Sequence, residues 1–225
     1  MYKNFGNDAP VIDVNDAVML LIDHQSGLFQ CINDMDFTKV RNHAIALAKA
    51  ANLANIPVIT TASVPQGPNG PLIPEIHEAA PHAVYVARRG EINSWDCPDF
   101  VEAVKKTGRK TLIIAGTVTS VCLAFPAISA VMEGYKVFVV PDASGTYSKM
   151  AEEISLARMV QAGCVPIDTV GVIASLQHTW HRDDWEKWMY IWPLMFTNYG
   201  LLIESYARQK KAFETNEPFD SLRED

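Results

Sequence analysis

Residues 111–140, TLIIAGTVTSVCLAFPAISAVMEGYKVFVV, decide the fold. The stretch begins with an apolar, β-rich run, continues through a segment of helical period, and ends with a second apolar run after Gly134. Parallel strands need a long crossover connection, and a helix usually provides it. The stretch therefore predicts a strand at 111–115, a helix at 122–133 and a parallel strand at 136–140.

The same alternation extends outward in both directions along the chain. Glycines follow three of the helical runs closely, as C-terminal caps do, at Gly108, Gly134 and Gly163. The complete pattern predicts an α/β fold in which helices cover both faces of a doubly wound, mostly parallel, six-stranded sheet. Besides the unit above, the predicted strands are 17–22, 58–62, 84–87 and 165–168, and the predicted helices are 38–54, 99–106 and 149–162.

Length and composition indicate one globular domain over residues 1–225. Hydrophobic residues make up 48% and charged residues 20%, which is near the average of folded domains. The segment 65–74, PQGPNGPLIP, predicts an ordered surface loop. Aromatic residues crowd the segment of about 180–225, so we expect it to form packing or oligomer contacts.

The charge balance limits the partners that this chain can have. A net charge of -7 with no basic stripe opposes nucleic-acid binding. The chain has no signal-peptide pattern and no apolar run near the ~20 residues of a membrane span, so we expect a cytoplasmic protein without a membrane partner. The four cysteines show no C-x-x-C spacing, which favours free thiols, one of which can serve chemistry.

Three reactive side chains are predicted to lie at one edge of the sheet. Asp23 ends the first strand, Arg88 ends the third, and Cys122 follows the fourth through a short turn into a helix. Each alone has an ordinary explanation, such as an Asx turn for Asp23 or a small buried side chain for Cys122. Ligands bind outside the carboxyl ends of parallel strands, and a helix N-terminus with a nearby cation favours a thiolate. The occurrence of an acid, a cation and a thiol at the same edge of the sheet favours a shared catalytic role for the three residues.

Four stretches carry a resemblance to a known family. The sequence resembles the YcaC-like branch of the isochorismatase-like cysteine hydrolases from about Asn15 to about Gly171, with the pattern G-x-x-T-x-x-C at 116–122 as its core. The resemblance implies a Rossmann-like sheet, an oligomer that is an octamer in this branch, and a catalytic triad. The stretches are AVMLLIDHQSGL at 17–28, GPNGPLIPEI at 67–76, ARRGEINSWDCPDF at 87–100 and LIIAGTVTSVCLAFPAISAVMEGYKVFVVPDASGT at 112–146.

The triad implied by the resemblance consists of Asp23, Arg88 and Cys122. Because Arg89 follows Arg88 in the ARRG turn, Arg89 is the alternative basic member. The family also implies a cis peptide between Thr117 and Val118, which turns the amide of Val118 toward the same point as the amide of Cys122. These two amides would form the oxyanion site.

The resemblance and the residues together predict a hydrolase that cleaves a small amide or related carbon–nitrogen bond without a metal or cofactor. Asp23 takes the proton of Cys122, the thiolate attacks, and water hydrolyses the resulting thioester. Arg88 remains charged and holds Asp23. Two alternatives remain open, namely an ester or thioester hydrolase on the same triad and a non-catalytic, redox-responsive oligomer with a reactive Cys122.

Further residues are candidates for contact with a small-molecule substrate. By resemblance, Asn93 and Trp95 edge the pocket, although packing is an equally good explanation for Trp95. Phe125 is expected to line the base of the pocket.

Several other titratable residues are not expected to act. His77 and His82 lack an acidic ligand at a suitable spacing and are not expected to bind a metal. His24 follows Asp23 directly and should face the opposite side of the sheet. The remaining cysteines are interpreted as structural, with Cys31 open to oxidation: Cys31, Cys97 and Cys164.

Overall fold

A computed structural model describes residues 10–216 and contains one six-stranded sheet, in which every strand is parallel to its neighbours. The spatial order is β3-β2-β1-β4-β5-β6. All six predicted strands are present, so the α/β doubly wound fold is confirmed. The strands are β1 (Ala17–Ile22), β2 (Val58–Ala62), β3 (Val84–Ala87), β4 (Thr111–Gly116), β5 (Lys136–Val139) and β6 (Val165–Pro166).

The strand order places a crevice at the middle of the sheet. The chain winds outward from β1 to β3, then returns to the centre and winds the other way from β4 to β6. The last residue of β1, Ile22, pairs with the last residue of β4, Gly116. The carboxyl ends of β1 and β4 therefore meet where the winding direction reverses, which is where such sheets bind ligands.

Helices cover both faces of the sheet. The four predicted helices are present, with ends within two residues of the prediction, and the described residues contain four further α-helices that were not predicted. Over residues 10–216 the α-helices are α1 (Phe37–Leu53), α2 (Glu75–Ala79), α3 (Pro98–Lys106), α4 (Ala124–Met132), α5 (Lys149–Ala162), α6 (Thr169–Gln177), α7 (Trp185–Met189) and α8 (Thr197–Thr215).

Two predicted boundaries differ from the structure by two residues, and the reason for each difference is visible. The helix expected at 122–133 begins only at Ala124, because residues Thr119–Leu123 form a wider π-helical turn. The strand expected at 165–168 ends at Pro166, because the Asp168 side chain accepts a hydrogen bond from the Gly171 amide at 2.8 Å and caps α6 instead.

The central strands are buried on both faces. In β1, Met19 and Leu21 pack into the cluster under α1, whereas Val18 and Leu20 pack into the cluster under α3 and α4. A strand with two buried faces reads as a continuous apolar run, which is why the sequence AVMLLI carries no alternation.

The aromatic C-terminal segment divides into a buried part and an exposed part. Trp188 is fully buried in the cluster under α1, and the Trp192 indole donates to Gln177 Oε1 at 2.9 Å. Helix α8 leaves several large apolar side chains exposed, namely Leu201, Leu202, Tyr206 and Phe213. Residues 217–225 of this segment lie outside the described part of the chain. Within residues 10–216, no helix is long and apolar enough to cross a membrane.

The buried centre of the sheet provides a test of the fold. Phe138 of β5 is fully buried, so replacing it with Ala should lower the free energy of unfolding by about 3–5 kcal/mol through lost burial and a residual cavity. Met132 at the end of α4 is exposed, and Met132→Ala should change it by no more than about 0.5 kcal/mol. Urea denaturation of both variants measures the difference; equal values would contradict this placement of Phe138.

Candidate active site

Asp23, Arg88 and Cys122 come together at the carboxyl edge of the sheet. The Arg88 guanidinium donates through Nη2 to Asp23 Oδ1, and neither side chain has any exposed surface. The thiol of Cys122 lies close enough to Asp23 for hydrogen bonding to influence both pKa values. Arg89 points to the surface, and its backbone amide donates to Glu91 Oε2 at 2.7 Å. Of the two arginines, the structure therefore places Arg88 against Asp23.

The backbone at Asp23 turns the carboxyl away from the strand direction. Asp23 has a φ of +56°, its amide donates to the Thr61 carbonyl at 3.0 Å, and its carbonyl accepts from the Gln25 amide at 2.7 Å. Aspartate is among the few residues that tolerate a positive φ. One carboxylate oxygen, Oδ1, is held by Arg88, whereas Oδ2 is buried and has no partner at full hydrogen-bonding distance. The Cys122 thiol and the Ser63 amide still lie close enough to the carboxyl to lower its pKa.

Arg88 spans the gap between two non-adjacent strands and is held along its whole guanidinium. Its Nε donates to Thr61 Oγ1 at 3.1 Å, and its Nη1 donates to the carbonyls of Glu91 at 2.7 Å and Ile92 at 3.5 Å. These contacts close the turn that follows β3. Because the donors are used internally and the side chain is buried, Arg88 is not available as a surface anchor for a substrate anion.

The turn that carries Cys122 contains the expected cis peptide between Thr117 and Val118. The segment after β5 holds this turn in place. Ser144 Oγ accepts from the Gly116 amide at 3.0 Å, and the Gly145 carbonyl accepts from the Thr119 amide at 2.8 Å. A Cβ at Gly116 would lie 2.7 Å from the Cys122 carbonyl oxygen, so the close approach of the turn to β4 requires glycine here.

The two predicted oxyanion donors differ in this structure. The Val118 amide lies close enough to the Cys122 sulfur to lower the pKa of the thiol. The Cys122 amide donates to the Val118 carbonyl at 2.9 Å, an acceptor that it shares with the Val121 amide at 3.1 Å. The oxyanion roles of both amides stay predictions.

The electrostatics of the thiol differ from the sequence-based expectation. The helix N-terminus and the cation were expected to favour a thiolate, but the pKa of Cys122 is raised well above its usual value. Burial is the largest cause, and the neighbouring Asp23 carboxylate adds to it, which outweighs Arg88. Burial also raises the pKa of Asp23, against the opposing attraction of Arg88. The resting site therefore contains a neutral thiol beside a buried acid–cation pair.

The three residues predicted to contact substrate lie in different environments. Asn93 is half-buried and donates through Nδ2 to Ser129 Oγ at 3.1 Å, and Phe125 is partly exposed on the first turn of α4. Trp95 is buried, and its indole donates to Glu133 Oε1 at 2.9 Å near the far end of α4. This is the packing explanation for Trp95, supported by an edge-on contact with Tyr135 at 5.7 Å.

The other candidate residues lie away from the thiol. His24 is fully buried, bonds through Nε2 to the Ala143 carbonyl at 2.9 Å, and has its pKa lowered by burial to about 4. His77 bonds to Thr60 Oγ1 at 3.1 Å and His82 to the Ile56 carbonyl at 2.9 Å. In the part of the chain that the structure describes, no three His, Cys, Asp or Glu side chains are grouped to hold a metal ion. The four cysteines are free, with Cys31 exposed and the others buried.

Three residues that support the site were not recognised from the sequence. The Thr61 hydroxyl accepts a hydrogen bond from the Arg88 side chain. The Ser144 hydroxyl accepts one from the Gly116 amide, just before the turn that carries Cys122. Gln25 is fully buried, and its side chain bonds to both the amide and the carbonyl of Ser63, at 2.9 and 3.0 Å. Each lies in or just beyond a strand end at the same sheet edge, and this position is the signal that could have identified them.

A groove lies at the other end of the sheet. It has a volume of about 700 Å³ and is lined by the start of β2, by Val84 of β3 and by α3, including Ala103 and Lys106. It is not lined by Asp23, Arg88 or Cys122. The Cys122 thiol is almost fully covered in the single chain.

Comparison with known proteins identifies the family of this chain. The isochorismatase domain model matches residues 17–170. The probable hydrolase YcaC of Escherichia coli K12 is 46% identical over 195 residues, which cover 87% of this chain and 93% of that protein. The chain therefore belongs to the isochorismatase family of hydrolases, and its similarity to YcaC places it in the YcaC-like branch.

Two solved structures of this branch superimpose closely on the chain. YcaC from Pseudomonas aeruginosa, described with hexane-2,5-diol and covalent acrylamide, matches with a TM-score of 0.84 and 45% identity over 88% of this chain and 98% of that chain. YcaC from Escherichia coli, described as an octameric hydrolase of unknown specificity, matches with a TM-score of 0.84 and 45% identity over 88% of this chain and 97% of that chain.

The coupling between Asp23 and Cys122 predicts a shift in thiol titration. Because the Asp23 carboxylate raises the pKa of Cys122, Asp23→Asn should move the pH midpoint for iodoacetamide alkylation of Cys122 downward. Peptide mass mapping at a series of pH values measures this midpoint and separates Cys122 from the exposed Cys31. Asp99→Asn, which neutralises an exposed acid at the start of α3, should leave the midpoint unchanged. An unchanged or higher midpoint in Asp23→Asn would show that the two groups are not coupled.

Proposed function

We propose that this protein hydrolyses a small amide or related carbon–nitrogen bond through a thioester on Cys122. One observation carries the proposal. The Asp23 carboxyl lies close enough to the Cys122 thiol for the two groups to shift each other's pKa, while Arg88 holds Oδ1 and fixes the carboxyl. A nucleophile within reach of a base that a third group orients is the arrangement that covalent hydrolysis requires.

The reaction begins with a neutral thiol. Asp23 takes the Cys122 proton as the sulfur attacks the substrate carbonyl, and the Val118 amide, which lies close enough to the thiol to lower its pKa, donates to the developing oxyanion. The tetrahedral intermediate collapses to a thioester, and the departing amine leaves with the proton from Asp23. Water then gives its proton to Asp23 and attacks the thioester, which releases the acid and restores the thiol.

The roles of the charged groups follow from their contacts. Arg88 keeps its charge throughout, because a guanidinium does not release its proton near neutrality. With its donors bound to Asp23, Thr61 and two carbonyls, Arg88 stabilises the base and is not the binding site of a substrate anion. Thiol, carboxylate and backbone amides supply every group that the reaction needs, so the proposal includes neither a metal nor a cofactor. The substrate is a small molecule with an uncharged reacting carbonyl.

The related structures support a reactive thiol. The Pseudomonas aeruginosa protein was described with covalent acrylamide, and acrylamide is an electrophile that forms thioethers with cysteine thiols. An ester or thioester substrate would pass through the same acyl–sulfur intermediate. A redox-sensing role is less well supported, because sensor thiols are exposed and have a low pKa, whereas Cys122 is buried and its pKa is raised.

A panel of small amides, including carbamoyl compounds and nicotinamide, tests the reaction. The wild type should release ammonia from at least one of them, and Cys122→Ala should reduce this rate by roughly 10³-fold or more. Intact mass should show an acyl adduct in the wild type only. Cys164→Ala removes another buried thiol and should retain the activity. Equal release by wild type and Cys122→Ala would refute the role of Cys122.

We further propose a cytoplasmic homo-oligomer whose subunits meet through the exposed apolar face of α8. The Escherichia coli relative is octameric, and α8 exposes Leu201, Leu202 and Tyr206 on one helix. Burying such side chains between subunits would supply a hydrophobic contribution that a single chain leaves unused.

Light scattering after size exclusion tests this assembly. The wild type should elute with a mass that is a multiple of 24.9 kDa, about 200 kDa if the octamer of the relative holds. Leu201→Glu combined with Leu202→Glu should lower the mass, because charges oppose burial. Lys210→Glu adds negative charge to an exposed position of the same helix and should not lower it. A monomeric wild type would contradict the proposal.

A further inference from the structure

Thr61 lies between the two charged members of the site. Strand β2 separates β1, which leads into Asp23, from β3, which leads into Arg88. The Arg88 side chain must therefore cross the end of β2 to reach Asp23. Thr61 is the next-to-last residue of β2, and in the sheet it is aligned with Ile22 on one side and Val86 on the other. The crossing guanidinium passes over this residue.

Thr61 contacts both charged residues through different groups. Its backbone carbonyl accepts from the Asp23 amide at 3.0 Å, and its hydroxyl accepts from Arg88 Nε at 3.1 Å. Thr61 and the side chains of Asp23 and Arg88 are all shielded from solvent. No water can therefore replace the hydroxyl easily if it is lost, and a buried, charged donor without an acceptor is costly.

The Nε contact fixes the plane of the guanidinium. A guanidinium is flat, so holding Nε also determines where the two terminal nitrogens lie. With Nε on Thr61, Nη2 faces Asp23 Oδ1 and Nη1 faces the carbonyls of Glu91 and Ile92. Threonine is β-branched and has few rotamers, which suits a fixed acceptor.

We propose that Thr61 is a positioning residue for the reaction, whose hydroxyl orients Arg88 so that it holds one oxygen of Asp23 and leaves the other for the Cys122 proton. This inference rests on the proposed function, because it assigns Thr61 a part in the same thiol chemistry. The effect is transmitted through Arg88, and Thr61 itself does not contact the reacting sulfur.

The test compares three β2 variants by the rate at which iodoacetamide alkylates Cys122 across pH. Thr61→Val removes the hydroxyl at nearly constant shape and should slow alkylation at neutral pH by about tenfold, the effect of losing a charge-assisted hydrogen bond. It should also move the pH midpoint upward, because a displaced Arg88 no longer assists the thiolate. Thr61→Ser keeps the hydroxyl and should restore wild-type behaviour.

Thr60→Val is the matched control. Thr60 is the preceding residue of β2, is equally buried, and directs its hydroxyl to His77 on the opposite face of the sheet. It makes the same chemical change without touching Arg88, so its alkylation profile should match the wild type. If Thr61→Val and Thr60→Val behave alike, the positioning role is wrong. If Thr61→Val does not fold by circular dichroism, Thr61→Ala replaces it under the same criteria.

A double substitution shows whether Thr61 acts through Arg88. Lysine has no Nε–H at the arginine position, so Thr61→Val should cause no further slowing in the Arg88→Lys background. A full tenfold slowing there would overturn the inference. The outcomes separate the two proposals: a Thr61 effect on alkylation without any amide hydrolysis would count against the proposed reaction, whereas hydrolysis that is insensitive to Thr61→Val would count against the role of Thr61.

Discussion

The buried ion pair between Arg88 and Asp23 is the interaction on which the rest of the site depends. Two charges without solvent are tolerated only when each is paired and hydrogen-bonded, and here the guanidinium is satisfied by Asp23, Thr61 and two carbonyls. On Asp23, Oδ1 is held by Arg88, and the carboxyl is also close enough to the Cys122 thiol for the two groups to shift each other's pKa. The ion pair therefore fixes a carboxyl in the immediate surroundings of the thiol.

The sheet topology explains how three residues distant in sequence meet. The winding reverses between β1 and β4, which brings the turn containing Cys122 beside Asp23, and Arg88 arrives over the end of β2. The π-helical turn and the contacts of Ser144 and Gly145 then fix the direction of the thiol. The site is therefore assembled from strand ends, and the strands themselves are held by burial on both faces.

The sequence predicted the fold better than the electrostatics of the site. Continuous apolar runs identify strands buried on both faces, so all six strands were found, and strand ends indicated the three residues that the structure brings together. The helix at 122 was placed two residues early, because apolar periodicity does not distinguish a π-helical turn from an α-helix. The helix N-terminus and Arg88 were expected to favour the thiolate, but the pKa of Cys122 is raised, because it depends on how deeply the chain buries the thiol and on a carboxylate 99 positions away. The contact between Thr61 and Arg88 could not be predicted, because it depends on how β1, β2 and β3 are aligned in the sheet.

Strand β3 is one of the two edge strands of the sheet and pairs only with β2. Its residues Val84 and Tyr85 are 55% and 44% exposed. Edge strands are the parts of a sheet that open most readily in local fluctuations. Such an opening of β3 would pull Arg88 away and leave the buried Asp23 charge without a partner, which is strongly unfavourable. The ion pair between Arg88 and Asp23 therefore also holds β3 at the edge of the sheet, so that the pairing of this edge strand and the surroundings of the Cys122 thiol depend on the same contact.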